Sequence, residues 1–404
     1  MNRIIKDSKR LLTVVKWLTV SITLGAVCGL LGGLFGIAIS FVTKTRIDNS
    51  WLIYLLPLAG VATVGIYKLL GVETLGTNQI FDMSRTGKKV SFWLAPAVFV
   101  CSVLSHLFGA SVGKEGAALQ LGGSVSGMVG SLFRIGEQEQ KTLTSCGMAA
   151  LFSAAFGTPI GACVFSLEVL TIGSYSFRAF APALLSSVTA HITATAIGAH
   201  GESFAISVVP SVSLLNILIV VLLGIVGGII SAVFCYFLRK GSAMAQKLIP
   251  NSYVRVFCGG AFIAIAVALM GKYDYNGSGI GVIENIFHGH TVGMEALIFK
   301  LIFTVICVSV GYKGGEIVPT LFMGAALGCA LSLALGFPVA FGAAIGMVAM
   351  FCGATNCPLA TIVIAVELFG GQGFVFFGVA IAAASVASGK ISLYHSQRFS
   401  REAL

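Results

Sequence analysis

GKEG at residues 113–116 and GGEI at residues 314–317 are two glycine-rich breaks inside otherwise apolar segments, and each carries one glutamate. The residue numbers of Glu115 and Glu316 differ by 201. An ionisable group at membrane depth is costly and by default functional. The two breaks therefore indicate corresponding places in two halves of a duplicated protein, and they predict a pathway for an anion and for protons through a membrane.

The composition excludes an ordinary soluble domain. Of the 404 residues, 57% are hydrophobic and 10% are charged, and the mean hydropathy is +0.97, whereas about a quarter of the residues in a soluble domain are charged. Apolar stretches of near-spanning length recur along the chain, at 17–42, 51–67, 92–110, 214–238, 256–270 and 374–388. The fifty glycines favour closely packed helices. No alternating segments typical of a β-barrel are present, so the fold class is an all-α polytopic membrane protein.

The cysteines and histidines do not predict a metal site or a cofactor. The ten cysteines are scattered through apolar segments, with Cys352 and Cys357 as the closest pair. Small, packed apolar residues are the better interpretation of such cysteines than disulfides or metal ligands. His288 and His290 have no carboxylate or cysteine cluster beside them, so a loop is the preferred interpretation there.

Basic residues mark the beginning of the chain. Residues 1–16 contain five of them, and a basic segment before a long apolar run is typical of a cytoplasmic flank of a first membrane helix. These are Arg3, Lys6, Lys9, Arg10 and Lys16. The net charge of +10 is assigned to such juxtamembrane residues, and no nucleic-acid partner is expected. The last residues, 395–404, are interpreted as a short tail without a regulatory domain.

Three further matches support the internal repeat. TPIGACVFSLE at 158–168 matches CPLATIVIAVE at 357–367 at an offset of 199, and Gly-Thr at 76–77 matches Gly-Ser at 277–278 at 201. Glycines after the two glutamates also recur at 201, namely Gly123 with Gly324 and Gly127 with Gly328. We expect a first membrane repeat at 17–205 and a second at 206–394, in either inverted or parallel arrangement.

Helices that begin inside a membrane have a clear chemical use. Their unpaired backbone N–H groups and the positive end of the helix dipole bind an anion without a full positive charge. Irregular backbone is tolerated at this depth only where it lines a cavity. The pattern therefore predicts an anion site made of backbone amides at broken helix ends.

The motifs resemble those of one family. GKEG at 113–116 resembles the GREGP signature of the CLC chloride channels and transporters, and GGEIVP at 314–319 resembles their GGxFxP signature. GKISLY at 389–394 is similar to the segment that carries their anion-binding tyrosine. The resemblance implies two inverted halves with broken, re-entrant helices, a homodimer with one pore in each subunit, and anion contacts from Tyr394.

Departures from the chloride signatures resemble the fluoride/proton antiporter clade of that family. Glu316 occupies a position that is apolar in chloride members, and Asn78 stands where chloride members carry a coordinating serine. Phe81 resembles a phenylalanine that contacts fluoride with its ring edge. The loop GSGIG at 277–281 looks more like the chloride motif GSGIP, and if it supplied the anion contacts, Ser278 would favour chloride.

The resemblance assigns roles to the remaining site residues. Glu115 is the protonatable gate that competes with the anion. The anion is bound by backbone amides, those around 116–118 and those of Ile317 and Val318. Gly116 and Ala117 are therefore named as anion-binding residues. Val169 replaces the internal glutamate that chloride antiporters use for protons, which leaves Glu316 as the expected proton carrier.

Simpler interpretations stay open at each position. Glu115 could pair with Lys114 or cap a helix, Glu316 could be solvated, Tyr394 could anchor the chain at the membrane interface, and Asn78 could be a turn residue. Glu168 and Glu367, near the surface, are better explained by capping or interface roles than by transport.

The predicted function is fluoride export in exchange for protons, by a transporter in the inner membrane of a prokaryotic cell. A chloride channel or chloride/proton antiporter is the near alternative. An intramembrane hydrolase is the remote one, because no histidine stands beside a Gly-x-Ser-x-Gly or His-Glu-x-x-His pattern. The protein is therefore not expected to be an enzyme, and its partners are fluoride or chloride, protons, the lipid bilayer and a second copy of the chain.

Overall fold

The computed structural model describes residues 2–174 and 176–400, with side chains from Leu11 onward. Sixteen α-helices lie within these ranges. The first eight are α1 Asn2–Asp48, α2 Leu56–Leu69, α3 Thr77–Thr86, α4 Leu94–Leu107, α5 Glu115–Leu132, α6 Glu137–Phe156, α7 Pro159–Glu168 and α8 Phe177–Ala196. The second eight are α9 Leu214–Leu248, α10 Ser252–Met270, α11 Ile280–Phe287, α12 Met294–Val310, α13 Ile317–Leu335, α14 Val339–Thr355, α15 Pro358–Phe369 and α16 Phe374–Ser388.

Strands are confined to one short pair. β1 Thr171–Ile172 and β2 Arg398–Phe399 run parallel, with Thr171 opposite Arg398 and Ile172 opposite Phe399. Two 3₁₀ helices, Ser50–Leu55 and Gly371–Gly373, precede α2 and α16. In the described part of the chain the fold is therefore helical, as the composition predicts.

Six helical segments of the described chain are long and apolar enough to cross a membrane. They are Leu11–Asp48, Ser50–Leu69, Leu214–Leu248, Ser252–Met270, Ile317–Leu335 and Gly371–Ser388. Five contain predicted apolar stretches, and the sixth, α13, starts at the second glutamate break. The predicted stretch 92–110 instead forms α4, which has only 14 residues. A helix of that length is too short to span the hydrocarbon core, and α4 is one of the short helices packed within the structure.

Two glutamates show how the halves are arranged. The Glu168 carboxylate, at the end of α7, accepts hydrogen bonds from the N–H groups of Leu359 and Ala360 in the first turn of α15, at 3.2 and 2.6 Å. Glu367, near the end of α15, accepts from Ile160 and Gly161 in the first turn of α7, at 2.9 and 2.7 Å. The end of each helix therefore lies at the start of the other.

Because α7 and α15 are corresponding helices that run antiparallel, the two halves form an inverted repeat. The carboxylates satisfy N–H groups that a helix start leaves unpaired. This is the capping role that the sequence favours for both residues. Its expected position near the surface is wrong for Glu168, which is 2% exposed.

Glycines allow the helix pairs α5–α6 and α13–α14 to touch through their backbones. A Cβ atom at Gly324 of α13 would lie 2.5 Å from the carbonyl oxygen of Gly346 in α14. In the first half, a Cβ atom at Gly122 would collide with the carbonyl oxygen of Gly147. Small residues permit such close packing in membranes, and it fixes the two helices whose first turns form the site described below.

The segment between the halves is folded onto the core. It runs from the end of α8 at Ala196 to the start of α9 at Leu214. Within it, the N–H of Glu202 donates to the carbonyl of Phe156 at 3.2 Å, and that of Phe204 donates to Leu368 at 2.9 Å. This segment brings a carboxylate to the first glutamate break.

Candidate ion-transport site

The two glycine breaks meet at a short antiparallel bridge. The N–H of Gly113 donates to the carbonyl of Gly315 at 2.6 Å, and the N–H of Gly315 donates to the carbonyl of Gly113 at 2.6 Å. Immediately after the bridge, α5 begins at Glu115 and α13 begins at Ile317. The positive ends of two helix dipoles are therefore placed side by side in the interior, which favours an anion there.

Glu115 is buried at this junction. Its residue is 0% exposed, and no other side chain of the described residues donates a hydrogen bond to either carboxylate oxygen. One oxygen, Oε2, lies 2.9 Å from the position that a Cβ atom would take at Gly113, and that position is 3.1 Å from Val318 of α13. The side chain is thus folded over the bridge, between the two helix starts.

Lys114 does not pair with Glu115. Its Nζ forms an ion pair with Glu202 at 2.8 Å, and both side chains are largely buried, at 11% and 16% exposed. Glu202 comes from the segment between the halves and was not predicted as a site residue. The only sign of Glu202 in the sequence is that it is a charged residue in a mostly apolar chain. Because Lys114 pairs with Glu202, the alternative that Glu115 pairs with Lys114 is wrong in this structure.

Glu316 stands at the corresponding point of the second half with different surroundings. It is the N-cap residue of α13, but its side chain makes no capping hydrogen bond. It is half-buried, and its Oε2 lies 3.4 Å from the position of a Cβ atom at Gly116. Its backbone carbonyl accepts from Thr320 N and Oγ1 at 3.0 and 2.8 Å. The carboxylate therefore faces the first turn of α5.

The amide donors of the site are fewer than predicted. The N–H of Ala118 donates to the carbonyl of Lys114 at 3.0 Å, so the predicted contribution of residue 118 is wrong because that amide is already used within the helix. Gly116 and Ala117 precede it in the first turn, where a helix leaves N–H groups unpaired. In α13 the same applies to Ile317 and Val318, since Thr320 is the first to bond back, to Glu316.

Gly315 controls access to these amides. A Cβ atom at Gly315 would lie 3.3 Å from the nitrogen of Glu115 and would collide with the nitrogen of Gly116. Any side chain at this position would therefore occupy the space in front of the first turn of α5. The Gly-Gly pair of the second break signals this role in the sequence, although residue 315 was not named as a site residue.

Phe81 and Tyr394 lie together. Their ring centroids are 5.0 Å apart and tilted by 60°, and the residues are 0% and 2% exposed. The Tyr394 hydroxyl is buried without a hydrogen-bond partner among the described residues. Tyr394 is therefore not an anchor at the membrane interface, since its hydroxyl is buried inside the protein.

Asn78 lies in the first turn of α3. It contacts the segment that follows Tyr394. Its Oδ1 accepts a hydrogen bond from the N–H of Ser396 at 3.1 Å, and Ser396 Oγ donates to its backbone carbonyl at 2.9 Å. The amide oxygen of Asn78 is therefore engaged by the chain, and the side-chain NH₂ is the group that it can offer to an anion.

The loop 277–281 lies elsewhere. The carbonyl of Gly277 accepts from Lys300 Nζ at 2.6 Å, and its N–H lies 3.4 Å from the carbonyl of Gly109. In an inverted repeat, this loop and the loop at Gly76 face opposite sides of the membrane. Ser278 is thus separated from Asn78 and Tyr394.

The usual internal proton position offers no free carboxylate. Val169 is fully buried, and the carboxylate of the preceding Glu168 is bonded to the start of α15. In the described residues, no group of three or more His, Cys, Asp or Glu side chains is arranged to hold a metal ion. All ten cysteines are free, and all except Cys258 are buried.

Comparisons with known proteins agree with this geometry. A sequence profile described as voltage gated chloride channel matches residues 61–389. A protein of Pseudomonas syringae pv. tomato named chloride/fluoride channel protein is 36% identical over 393 residues, which cover 95% of this chain and 87% of that protein. The H(+)/Cl(−) exchange transporter ClcA of Vibrio campbellii is 26% identical over 373 residues, which cover 85% of this chain and 80% of that protein.

The fold is likewise that of a solved protein. A crystal structure described as a CLC-type fluoride/proton antiporter superposes with a TM-score of 0.92 at 30% sequence identity, covering 96% of this chain and 98% of the other. The sequence profile alone spans well over half of the chain, and it includes both glutamate breaks. The chain therefore belongs to the CLC family of voltage gated chloride channels and transporters.

Proposed function

We propose that this protein is a fluoride/proton antiporter in which Glu115 is the protonatable gate. The observation that carries the proposal is the buried Glu115 carboxylate, which no other side chain in the described part of the chain holds, at the point where the first turns of α5 and α13 meet. The similarity to a CLC-type fluoride/proton antiporter over 96% of the chain supports fluoride as the anion.

Fluoride needs strong donors because it is small and tightly hydrated. A selective pore must replace the water around an ion with polar protein groups at close range. The first-turn amides of Gly116, Ala117, Ile317 and Val318 supply N–H donors, and the Tyr394 hydroxyl supplies an O–H donor. The tilted Phe81 ring adds the positive edge of its quadrupole. Asn78 contributes its side-chain NH₂.

Exchange follows from competition between two anions for one set of donors. The ionised Glu115 carboxylate is attracted to the same helix starts that attract fluoride. When Glu115 takes up a proton, that attraction is lost and the side chain can leave the site to fluoride. When fluoride leaves, the ionised carboxylate returns. Proton uptake and anion entry are therefore linked by charge.

Glu316 is proposed as the second proton-carrying group. Its carboxylate faces the first turn of α5 across Gly116. Glu168 is held by α15, and residue 169 is a valine. A proton that reaches Glu115 from the other side then passes through the region of Glu316.

Transport assays in proteoliposomes separate the proposal from its alternatives. We expect fluoride efflux to exceed chloride efflux by at least about tenfold, and an imposed proton gradient to drive fluoride uphill. Equal rates for fluoride and chloride would assign the protein to chloride transport, as in the Vibrio campbellii relative. Fluoride flux without proton movement would identify a channel, as the Pseudomonas syringae relative is named.

The gate is tested by Glu115→Gln, which keeps the shape of the side chain and removes its charge and its proton. We expect fluoride to leak through the variant without proton coupling. Uphill fluoride transport at the wild-type rate in E115Q would contradict the assignment of Glu115.

The assembly and its membrane are also proposals. We expect a homodimer in the inner membrane of a bacterium, with the basic N-terminal flank in the cytoplasm. Apolar side chains at the starts of α7 and α15, Ile160 and Leu359, are 49% and 52% exposed, which provides a surface for a second copy. Light scattering of the purified protein tests the dimer, and labelling of a cysteine placed before Leu11 tests the orientation.

A further inference from the structure

A cavity of about 290 Å³ lies away from the glutamate junction, between the end of α1 and the loop that precedes α11. Arg46, in the last turn of α1, lines it. Asn276, Ser278 and Gly279 of the loop line the other side. The proposed transport mechanism uses none of these residues, although the loop contains the motif GSGIG.

The cavity contains an unpaired positive charge. The Nη1 atom of Arg46 is packed against Gly277, where a Cβ atom would collide with it, and the rest of the guanidinium group lines the cavity. Among the described residues, the ion pairs within 4.0 Å do not include Arg46. Burying a charge without a partner is costly. An anion in the cavity would supply that partner.

A second basic residue lies behind the loop. Lys300 is fully buried, and its Nζ donates to the carbonyls of Gly277 and Tyr275 at 2.6 and 3.2 Å. These bonds fix the loop from beneath. The one carboxylate that lines the cavity belongs to Asp274, which is exposed to solvent. The buried end of the cavity is therefore lined by Arg46 and by no carboxylate.

The loop also offers polar groups to a small ligand. Asn276 is 3% exposed and lines the cavity, and its side-chain NH₂ is the group that can donate to an anion, since its Oδ1 only accepts. The amide group of asparagine presents two N–H donors beside that oxygen. Helix α11 begins directly after Gly279, where Ser278 Oγ lies 3.4 Å from the nitrogen of Ile280. Arg46, Asn276 and the start of α11 thus surround the same space.

The inverted repeat relates this cavity to the loop before Asn78 in the first half. Residues 277–278 correspond to residues 76–77, where α3 begins next to Asn78. The two loops lie on opposite sides of the membrane, because the halves are inverted. We infer that the cavity at Arg46 and Asn276 is a second anion-binding site, for a small monovalent anion, on the membrane face opposite to Asn78.

Bromide locates the site directly, because it scatters anomalously, and this test does not depend on transport activity. In crystals of the whole protein grown with bromide, we expect an anomalous peak within hydrogen-bond distance of the Arg46 guanidinium group. Arg46→Gln should remove that peak. Lys44→Gln should keep it, since Lys44 is exposed on the same helix, loses the same charge and does not line the cavity.

Three outcomes would overturn the inference. They are a cavity without bromide in the wild-type protein, a bromide peak that persists in R46Q, and density for a lipid headgroup with acyl chains. Arg46→Lys keeps the charge and should retain bromide, which separates loss of the site from a failure of R46Q to fold.

Binding can also be followed in solution by titrating bromide into the purified protein. Removing a hydrogen bond to a charged group weakens binding by at least about tenfold. We expect the dissociation constant for this site to rise by that factor in R46Q and to stay unchanged in K44Q. Equal constants in all three proteins would contradict the site.

Discussion

Glu115 and Glu316 hold corresponding places in the two halves but have different neighbours. Glu115 is fully buried beside Lys114, whose charge is taken by Glu202. Glu316 is half-buried, and Gly315 precedes it where the first half has a lysine. Duplication therefore supplies two helix starts with a carboxylate each, and we propose that their unequal surroundings decide which carboxylate acts as a gate.

Gly315→Ala should have the largest effect, because it fills the space in front of the first turn of α5. The new methyl group would collide with the nitrogen of Gly116. We expect fluoride and proton fluxes in proteoliposomes to fall together by at least about a hundredfold, the order of two lost hydrogen bonds to a charged ligand. Gly65→Ala is the control, since nothing lies within 4 Å of its Cβ position. Wild-type flux in a well-folded G315A protein would contradict the site.

Glu316→Gln should distinguish the roles of the two glutamates most clearly. Glu115 remains able to close the pathway in this variant, but its proton supply from the second side is lost. We expect fluoride and proton fluxes to fall together by about tenfold or more, whereas E115Q leaks fluoride without protons. Glu295→Gln, at an exposed position in α12, should be silent. A fluoride leak in E316Q like that in E115Q would show that the two carboxylates are equivalent.

Glu202→Gln should shift the pH dependence of transport. Lys114 loses its partner, and its ammonium group is then free to stabilise the ionised form of Glu115. The ionised form closes the pathway, so a lower pH is needed to protonate it. We expect transport near neutral pH to slow about tenfold, which corresponds to one pH unit, and to recover at lower pH.

The double variant K114M/E202Q provides the control for this prediction. It removes the ammonium group together with its partner, and the pH profile should return toward that of the wild type. A profile that stays shifted in the double variant would show that Lys114 is not the cause.

The reciprocal caps should have the smallest effect on transport. Glu168→Gln and Glu367→Gln each weaken two bonds to the start of the opposite helix. Losing a cap costs about 0.5–2 kcal/mol, and we expect the buried Glu168 to lie at the upper end and Glu367 at the lower. Thermal unfolding of the purified protein measures this. A larger loss for E367Q would contradict the difference in burial.

The sequence was sufficient for the membrane class and for the repeat. Several apolar stretches of near-spanning length with few charges indicate a membrane protein, and five of them fall within helices long and apolar enough to span. The stretch at 92–110 looked long enough to span but forms only the short helix α4. Hydropathy does not show whether an apolar helix crosses the bilayer or is packed inside the protein. The repeat alone left the antiparallel course of the halves open, and only the family resemblance implied it. It depends on Glu168 meeting the start of α15.

The sequence by itself determined that two carboxylates stand in glycine breaks at equivalent positions, because spacing and residue type are local properties. Only the tertiary structure decided that Lys114 pairs with Glu202, that Ala118 has no amide to offer, and that Arg46 lines a cavity. Each of these depends on groups far apart along the chain. In a low-dielectric interior, neighbouring groups determine whether a side chain is charged. Only the packing of the chain brings these neighbours together.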